Sequence, residues 1–580
     1  MDAMTGPRTE NIPAPHGEGG EGVAVFEEYM AHLVPHNPQW LASPPPWCAD
    51  LRLSNEAVVD GAGGAAPGTA TSGLRGCGAL ALPVKIAVSD VFGRHLVASR
   101  NIVPGEVVMV EPPLLLALRA KSPPYCSTCY KRARDYTCPK CGFFLCDENC
   151  HTKKHKEECS ILQRLGLAGP TAEEQQREER ALSERLSAMA PEERAHAGAL
   201  LLRAKTTATQ QRHYEVLRHY MVVPTIQTLI AMSKSELTRR VILSLQGHQD
   251  EASQRYRINQ RRIVDVVVGT LQASTDAALL HKICSVWDTN GFEVPLGWGT
   301  RVHGLYPFSS LLTHDCRANT QQWFTAAGTL VLRAVDHIAA GQVVTTCYTD
   351  PQWATMLRQD HLRVSKQFTC TCQRCADPTE LGTFMGSSKC PGCGGPMVSS
   401  APLDPTASWV CHNGCPHTES AKKAAGAGAS VGARLRGLDP TDEAAIGAAA
   451  DHLKDLLYPT HHVLLQLHVS TLRTMAERDL RELSDAALET LGAIAKEVVG
   501  VVRRVEAPLT RLSVRMFRED VRIRLEGLRR QKLRGCSIEE ELKDLTPMMA
   551  DCEVALGWDV RMPSFEPVLQ EYRALLNTSS

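Results

Sequence analysis

Between residues 121 and 159 the chain reads Cys126-x2-Cys129-x8-Cys138-x2-Cys141-x4-Cys146-x3-Cys150-x4-His155-x3-Cys159, eight soft donors in four close pairs. Tetrahedral zinc takes four such donors, so the count predicts two metal sites in one short segment. Large apolar residues there are few, chiefly Phe143, Phe144 and Leu145, and a segment this small cannot stabilise itself on such a core. Metal binding is therefore expected to supply much of its folding energy.

The rest of the chain argues against a disulfide knot. The start, Met1-Asp2-Ala3-Met4-Thr5-Gly6-Pro7-Arg8, lacks the basic-then-apolar order of a signal peptide, and no apolar run approaches the ~18–20 residues of a membrane span. The expected compartment is the nucleus and/or the cytoplasm, where thiols bind metal or stay free. Lys+Arg 63 and Asp+Glu 64 nearly cancel, so no global basic field advertises nucleic acid. At ~100–200 residues per domain, the 580 residues predict three to five folded units.

Outward from the cluster the composition changes several times. Residues 1–80 are rich in Gly, Ala and Pro and are expected to form a disordered tail, within which Phe26, Tyr29, Leu33, Trp40 and Trp47 mark either a motif that folds on a partner or an incidental apolar stretch. The runs Lys85–Val88 and Glu106–Val110, separated by Pro104-Gly105, predict a small β-region. Thr171-Ala172-Glu173-Glu174 after Pro170 is a capping box opening a mostly helical stretch to residue 280. Strand patterns return from Val286 to Cys347, and an Ala/Gly-rich linker covers 424–438. Beyond it, apolar spacing predicts helices over Ala444–Leu457, Val463–Arg478, Ala486–Val505, Leu509–Arg529 and Ile538–Ala555, an array like a tetratricopeptide solenoid without a clean repeat.

A second cysteine-rich region begins Phe368-Thr369-Cys370-Thr371-Cys372-Gln373-Arg374-Cys375, three thiolates where tetrahedral zinc wants four, so the fourth ligand must come from elsewhere. Cys390-Pro391-Gly392-Cys393, followed by Cys411-x3-Cys415, predicts one further site, with His412 and His417 as competing ligands.

The first cluster resembles the MYND zinc finger, whose ligand pairs interleave. The resemblance implies one site from Cys126, Cys129, Cys146 and Cys150 and another from Cys138, Cys141, His155 and Cys159. His151 competes with His155, but the His155-x3-Cys159 spacing puts both side chains on one face of a helical turn. Leu311-Leu312-Thr313-His314-Asp315-Cys316-Arg317-Ala318-Asn319 resembles the Asn-His-Ser-Cys-x-Pro-Asn motif of SET-domain protein methyltransferases. In the SET and MYND domain (SMYD) family that cysteine completes the post-SET zinc site, which implies Cys316 as the missing partner of Cys370, Cys372 and Cys375. Asp377-Pro378-Thr379-Glu380-Leu381-Gly382-Thr383 together with the extra cysteine pairs resembles the arthropod SmydA branch.

The resemblance covers roughly residues 84–415 and implies an α+β multidomain chain, a β-rich SET domain split by a MYND finger and a helical insert. Its expected parts are 1–80 tail, 81–120 first part of SET, 121–160 finger, 161–280 helical insert, 281–365 SET core, 366–423 post-SET and additional zinc region, 424–438 linker and 439–580 helical C-terminal domain.

The family's chemistry is methyl transfer from S-adenosylmethionine to a protein lysine, histone or non-histone, in which the enzyme supplies alignment and a desolvated channel. By resemblance, Gly93-Arg94-His95-Leu96 is the turn against the cofactor, Asn290 contacts the cofactor, Thr313 and His314 help to hold it, Phe368 lies beside it, and Tyr348 is the catalytic tyrosine. Three residues depart from the family pattern: His95 and Thr313 replace a glycine and an asparagine, and Lys366 stands where a second channel tyrosine is usual. The leading expectation is a protein-lysine N-methyltransferase linked to chromatin or transcription. The alternative is a catalytically weak or inactive adaptor of co-repressor type, its finger binding proline-containing peptides. Specific DNA binding is disfavoured, because Lys131, Arg132, Arg134, Lys140, Lys153, Lys154 and Lys156 are interspersed with acidic residues.

Overall fold

A computed structural model of the chain describes residues 23–29, 82–118, 123–168 without 134, 135, 151 and 152, a few positions between 177 and 211, 214–426 without 249, 272–274, 298 and 425, and 453–577 without 477 and 557–563. Leu33, Trp40, Trp47, His151, Arg134, the capping box at Thr171 and linker residues 427–438 lie outside the described residues.

In chain order the elements used below begin with helix α1 (residues 23–29) and strands β1 (Val84–Ser89), β2 (Gly93–Ala98), β3 (Val107–Glu111) and β4 (Leu115–Ala117). Helices α2 (Lys153–Leu162), α3 (Val223–Lys234), α4 (Glu236–Ser244) and α5 (Ala277–Asn290) follow, then strands β5 (Gly291–Pro295), β6 (Arg301–Leu305), β7 (Thr313–His314), β8 (Thr320–Phe324), β9 (Leu330–Ala334) and β10 (Thr345–Thr346). Helices α6 (Thr355–Lys366) and α7 (Gln373–Ala376) lead into strands β11 (Met397–Ser399), β12 (Trp409–Cys411) and β13 (Thr418–Glu419). Helices α8 (His462–Met475), α9 (Asp485–Val505), α10 (Arg511–Leu533), α11 (Glu539–Leu556) and α12 (Glu566–Asn577) complete an α+β chain. It divides into two compact units, residues 1–38, 86–95 and 113–311 in the first and residues 39–85, 96–112 and 312–580 in the second.

The first unit holds an antiparallel sheet β4-β6-β5. Its middle strand carries Gly304 opposite Phe292 and Leu116. A Cβ at Gly304 would lie 2.7 Å from the Tyr306 ring and 2.9 Å from Val294, so close side-chain packing demands glycine there. Val286–Asn290 belong to α5 rather than to a strand. Asp276 caps that helix by accepting the Ala278 N–H, and Leu280, Ile283, Cys284, Val286 and Trp287 recur at helical spacing on its buried face. The helix therefore runs across the expected boundary at residue 280.

The expected tail also contains structure. Phe26 and Tyr29 of α1 are buried, the Arg94 guanidinium lies 5.2 Å from the Phe26 ring centroid, and Arg240 donates to both carboxylate oxygens of Glu28 at 2.8 Å. Two aromatic residues one helical turn apart supply enough apolar surface to dock a segment whose surrounding composition pointed to disorder.

In the second unit β9 pairs antiparallel with β3 and β8, and all five of its residues are buried. β7 and β10 form a parallel pair with Thr313 beside Thr345 and His314 beside Thr346. Helices α8 to α12 share one apolar core that includes Val469, Leu472, Val498, Phe517, Val521 and Leu545. Ser484 caps α9 by accepting the Ala487 N–H, and Thr510 caps α10 by accepting the Ser513 N–H. Helix α12 was not expected, and α9 and α10 occupy nearly the spans that apolar periodicity marked.

Candidate metal and cofactor sites

Four groups of donors converge in the described residues, each with its ligand atoms within 4.8 Å of one another. Two lie in the finger segment: Cys126, Cys129, Cys146 and Cys150, and Cys138, Cys141, His155 and Cys159. The pairs interleave because tight turns bring Cys126 and Cys129 against Cys146, while helix α2 presents His155 and Cys159 from adjacent turns of one face. His155 directs Nε2 toward Cys141 Sγ at 3.7 Å and its Nδ1 faces Ser127 Oγ at 3.3 Å, an outer partner that fixes the ring. Phe143, Phe144 and Leu145 are wholly buried, with Phe143 packed on Tyr220 at 6.0 Å between centroids. The finger therefore leans on the helices of its own unit as well as on its metal sites.

The third group, in the second unit, joins Cys316 to Cys370, Cys372 and Cys375 across more than fifty residues. The fourth joins Cys390, Cys393, Cys411 and Cys415 around the small sheet β11-β12-β13. Four sulfurs at the corners of a zinc tetrahedron are about 3.8 Å apart, given Zn–S near 2.3 Å. Sulfur pairs in these groups stand at 3.8 Å for Cys138 and Cys159, 3.5 Å for Cys316 and Cys375, and 3.6 Å for Cys393 and Cys411. The all-thiolate and thiolate–imidazole donor sets and their spacing fit Zn2+ in a closed, structural geometry. His412 and His417 stand outside the fourth group, the His417 ring instead packing against Gly392.

Around the third group lie the residues singled out near the reacting atoms. The Tyr348 N–H donates to His314 Nδ1 at 3.0 Å, and His314 Nε2 faces Cys316 Sγ at 3.3 Å. Burial pushes the imidazole down to about 4, so the ring is neutral at pH 7 with its proton on Nε2, the nitrogen that is not accepting. Both ring nitrogens thus point into the protein. The Tyr348 hydroxyl donates to the Leu312 carbonyl, and burial pushes the phenol up, so it acts as a neutral donor. Lys366 Nζ stands 5.6 Å from the Tyr348 ring centroid, and Phe368, partly exposed, lies 5.9 Å from the His314 ring. Thr313 spends its hydroxyl on the Val344 carbonyl at 3.5 Å.

In the first unit Gly93 holds φ +60°, the left-handed conformation that glycine tolerates. His95 needs no such backbone: it lies in β2, buried, with Nδ1 2.9 Å from the Gly93 carbonyl oxygen. Arg94 donates to the Ser244 carbonyl, Lys282 to that of Leu245 at 2.8 Å, and Asn290 to that of Gln246 at 2.6 Å. Three consecutive carbonyls at the C-terminal end of α4 each receive a side-chain donor, two of them cationic, as the negative end of a helix favours. Asn290 spends its other amide hydrogen on the Val286 carbonyl at 3.0 Å, and among the described residues no donor to its Oδ1 is found.

Sequence reasoning did not single out Arg358 or Glu380, although both are buried beside the third group. A signal existed, since Arg358 falls on the same face of α6 as the buried Thr355 and Leu362, an arginine where an apolar residue belongs. A finger of interleaved cysteine pairs, and a strand-rich core whose own cysteine is clipped to a downstream triplet, define a SET protein with a MYND-type insertion.

No family model matches the chain. It is 24% identical over 446 residues to SET domain-containing protein SmydA-8, isoform B, of Drosophila melanogaster, covering 73% of this chain and 87% of that protein. It is 25% identical over 306 residues to N-lysine methyltransferase SMYD2-A of Xenopus laevis, covering 50% of this chain and 60% of that protein, and 43% identical over 72 residues, 12% of this chain and 17% of the other, to histone-lysine N-methyltransferase SMYD3 of Mus musculus. Over most of its length the chain is similar to SET and MYND domain proteins of the SmydA branch, and over shorter stretches to SMYD methyltransferases. Among the described residues no helix is long and apolar enough to cross a membrane.

Proposed function

We propose that this chain is an S-adenosylmethionine-dependent protein-lysine N-methyltransferase of the nucleus and/or cytoplasm, folded around four Zn2+ ions. Two would sit in the finger, one at Cys316, Cys370, Cys372 and Cys375, and one at Cys390, Cys393, Cys411 and Cys415. The domain limits given above are proposed with it, except that the boundary at residue 280 moves to the start of α5 and that residues 23–29 of the expected tail are helical. The observation that carries the reading is the anchoring of Tyr348 through His314 to the cysteine clip.

S-adenosylmethionine would supply a methyl group on a sulfonium, and Gly93, Arg94, Asn290, Thr313, His314, Tyr348 and Phe368 are the residues proposed to hold it. Tyr348 has a neutral hydroxyl fixed by a backbone acceptor, suited to orienting an uncharged amine rather than to removing a proton. Two aromatic rings, Tyr348 and Phe368, flank His314, the first partly buried and the second partly exposed to solvent. The Oδ1 of Asn290 suits a cationic amine such as an amino-acid ammonium.

One observation favours the adaptor as second reading. The Lys366 ammonium lies over the Tyr348 ring, where its charge opposes a cationic substrate and a sulfonium alike. In that reading the finger would retain peptide recognition, including proline-containing peptides, without transfer.

Calorimetry of S-adenosylmethionine against zinc-loaded protein, with Asn290→Ala as control, and transfer of a labelled methyl group to histone and non-histone proteins, with Tyr348→Phe as control, separate the two. Binding at one site with transfer abolished by Tyr348→Phe supports the enzyme. A folded protein that neither binds nor transfers, but in which Lys366→Tyr restores transfer, establishes the adaptor and names the residue responsible.

A further inference from the structure

Arg358 is completely buried, and all five of its N–H donors have acceptors. Nε donates to Cys316 Sγ at 3.2 Å and Nη2 to Cys375 Sγ at 3.5 Å. Nη2 also donates to Thr355 Oγ1 at 2.8 Å, and Nη1 donates to the Trp353 carbonyl at 2.5 Å and to Glu380 Oε2 at 2.8 Å. Lysine has only three donors on one nitrogen and could not meet five acceptors spread around a plane.

A second buried guanidinium competes for the same carboxylate. Arg374, also buried, shares Glu380 Oε2 at 3.4 Å and donates to the carbonyls of Pro351 and Trp353 at 2.9 and 3.1 Å. Both guanidinium groups pair with Glu380 in a region closed to water, where the buried Glu506 carboxyl also feels the charge of Arg374, and a buried charge without a counterion is strongly disfavoured. Four thiolates on a divalent cation carry a net charge of about −2, which places further negative charge in direct contact with Arg358.

The loop that delivers Glu380 is itself strained. Glu380, Leu381 and Gly382 hold φ values of +51°, +62° and +72°, and Asp377 pins them by accepting the N–H groups of Thr379 and Leu381 at 2.8 Å. The result aims Oε1 of Glu380 at the Thr355 N–H, 2.9 Å away at the start of α6, and Oε2 at Arg358. Helix, loop and cysteine clip thus meet at one guanidinium.

We infer that Arg358 is the outer-sphere charge partner of the Cys316, Cys370, Cys372 and Cys375 metal site, held in place by Glu380. The inference rests on the proposed zinc reading of that group. Its two N–H···S contacts hold Cys316 and Cys375 in place and offset the charge of the ligand set, and thereby retain the metal. The fourth group offers an internal comparison, since Cys393 Sγ receives neutral donors, the Gly395 N–H at 3.4 Å and the Asn413 amide at 3.8 Å.

The test is zinc release from the full chain into excess chromogenic chelator, each phase assigned by the cysteine variant that removes it, Cys372→Ser for this site and Cys393→Ser for the fourth. Arg358→Met is expected to speed the Cys372-dependent phase by about 10–100-fold, with Arg358→Lys in between and the Cys393-dependent phase unchanged. If Arg358→Met fails to fold, Arg358→Gln, which keeps a neutral amide beside the sulfurs and leaves the Arg374–Glu380 pair intact, is read the same way. An unchanged Cys372-dependent phase in folded variants overturns the role of Arg358 while leaving the zinc reading intact. A wild-type protein with no zinc phase sensitive to Cys372→Ser overturns the metal reading and the inference together.

Discussion

The backbone N–H of Tyr348 donates to Nδ1 of His314 at 3.0 Å, although thirty-four residues separate them in the chain. Parallel pairing of β7 with β10 sets the register, placing His314 beside Thr346 and so within reach of the turn that carries Tyr348. His314→Ala would leave that N–H without its acceptor, at a cost of about 1–3 kcal/mol. Denaturant unfolding should show this loss, and methyl transfer should fall even where S-adenosylmethionine still binds. A variant with wild-type stability and transfer rate would remove His314 from the account.

Glu506 predicts a pH dependence of stability. Burial pushes its carboxyl up to about 7, against an opposing hydrogen bond from Thr510 and the charge of Arg374. Its folded value is above the unfolded one, so the folded state binds the extra proton, and the contribution of this group to stability is fully present below about pH 4.5 and is lost as pH rises through 7. The difference of about 2.5 units corresponds to roughly 3 kcal/mol. Glu506→Gln should remove that slope, measured as unfolding free energy between pH 5 and about pH 8 against wild type.

Gly304→Ala tests the sheet of the first unit. The new methyl would meet Tyr306, Val294 and Leu116 at 2.7, 2.9 and 3.1 Å, all side chains packed in place. Overpacking of this kind costs about 1–3 kcal/mol. The thermal midpoint should drop accordingly, and Gly304→Ala with Val294→Ala should recover part of the loss.

Phe26→Ala tests whether α1 belongs to the fold. A helix of seven residues is far below the ~12–15 at which isolated helices become marginally stable, so docking through Phe26 and Tyr29 must hold it. Removing the ring should expose residues 23–29 to rapid hydrogen exchange while α4 and α5 keep their protection. Persistent protection of α1 would assign its order to the Glu28–Arg240 pair instead.

The family was legible because its signals are local in the chain. Cysteine pairs two or three residues apart, the helical offset of His155 and Cys159, and apolar positions at three- and four-residue spacing express constraints of one turn or one helix face. The same logic located the helices of the C-terminal array and failed for α1, where a seven-residue docking segment is outweighed by its Gly, Ala and Pro surroundings.

The sequence by itself determined which residues are soft donors, how they pair locally and which segments are amphipathic. Only the tertiary structure decided that Arg358 touches Cys316 and Cys375, that Glu380 answers it from a strained loop, and that Arg94, Lys282 and Asn290 cap one helix end. The physical reason is desolvation. Whether a charged side chain is a solvated surface group or a buried counterion depends on what surrounds it in space, and those neighbours come from distant parts of the chain.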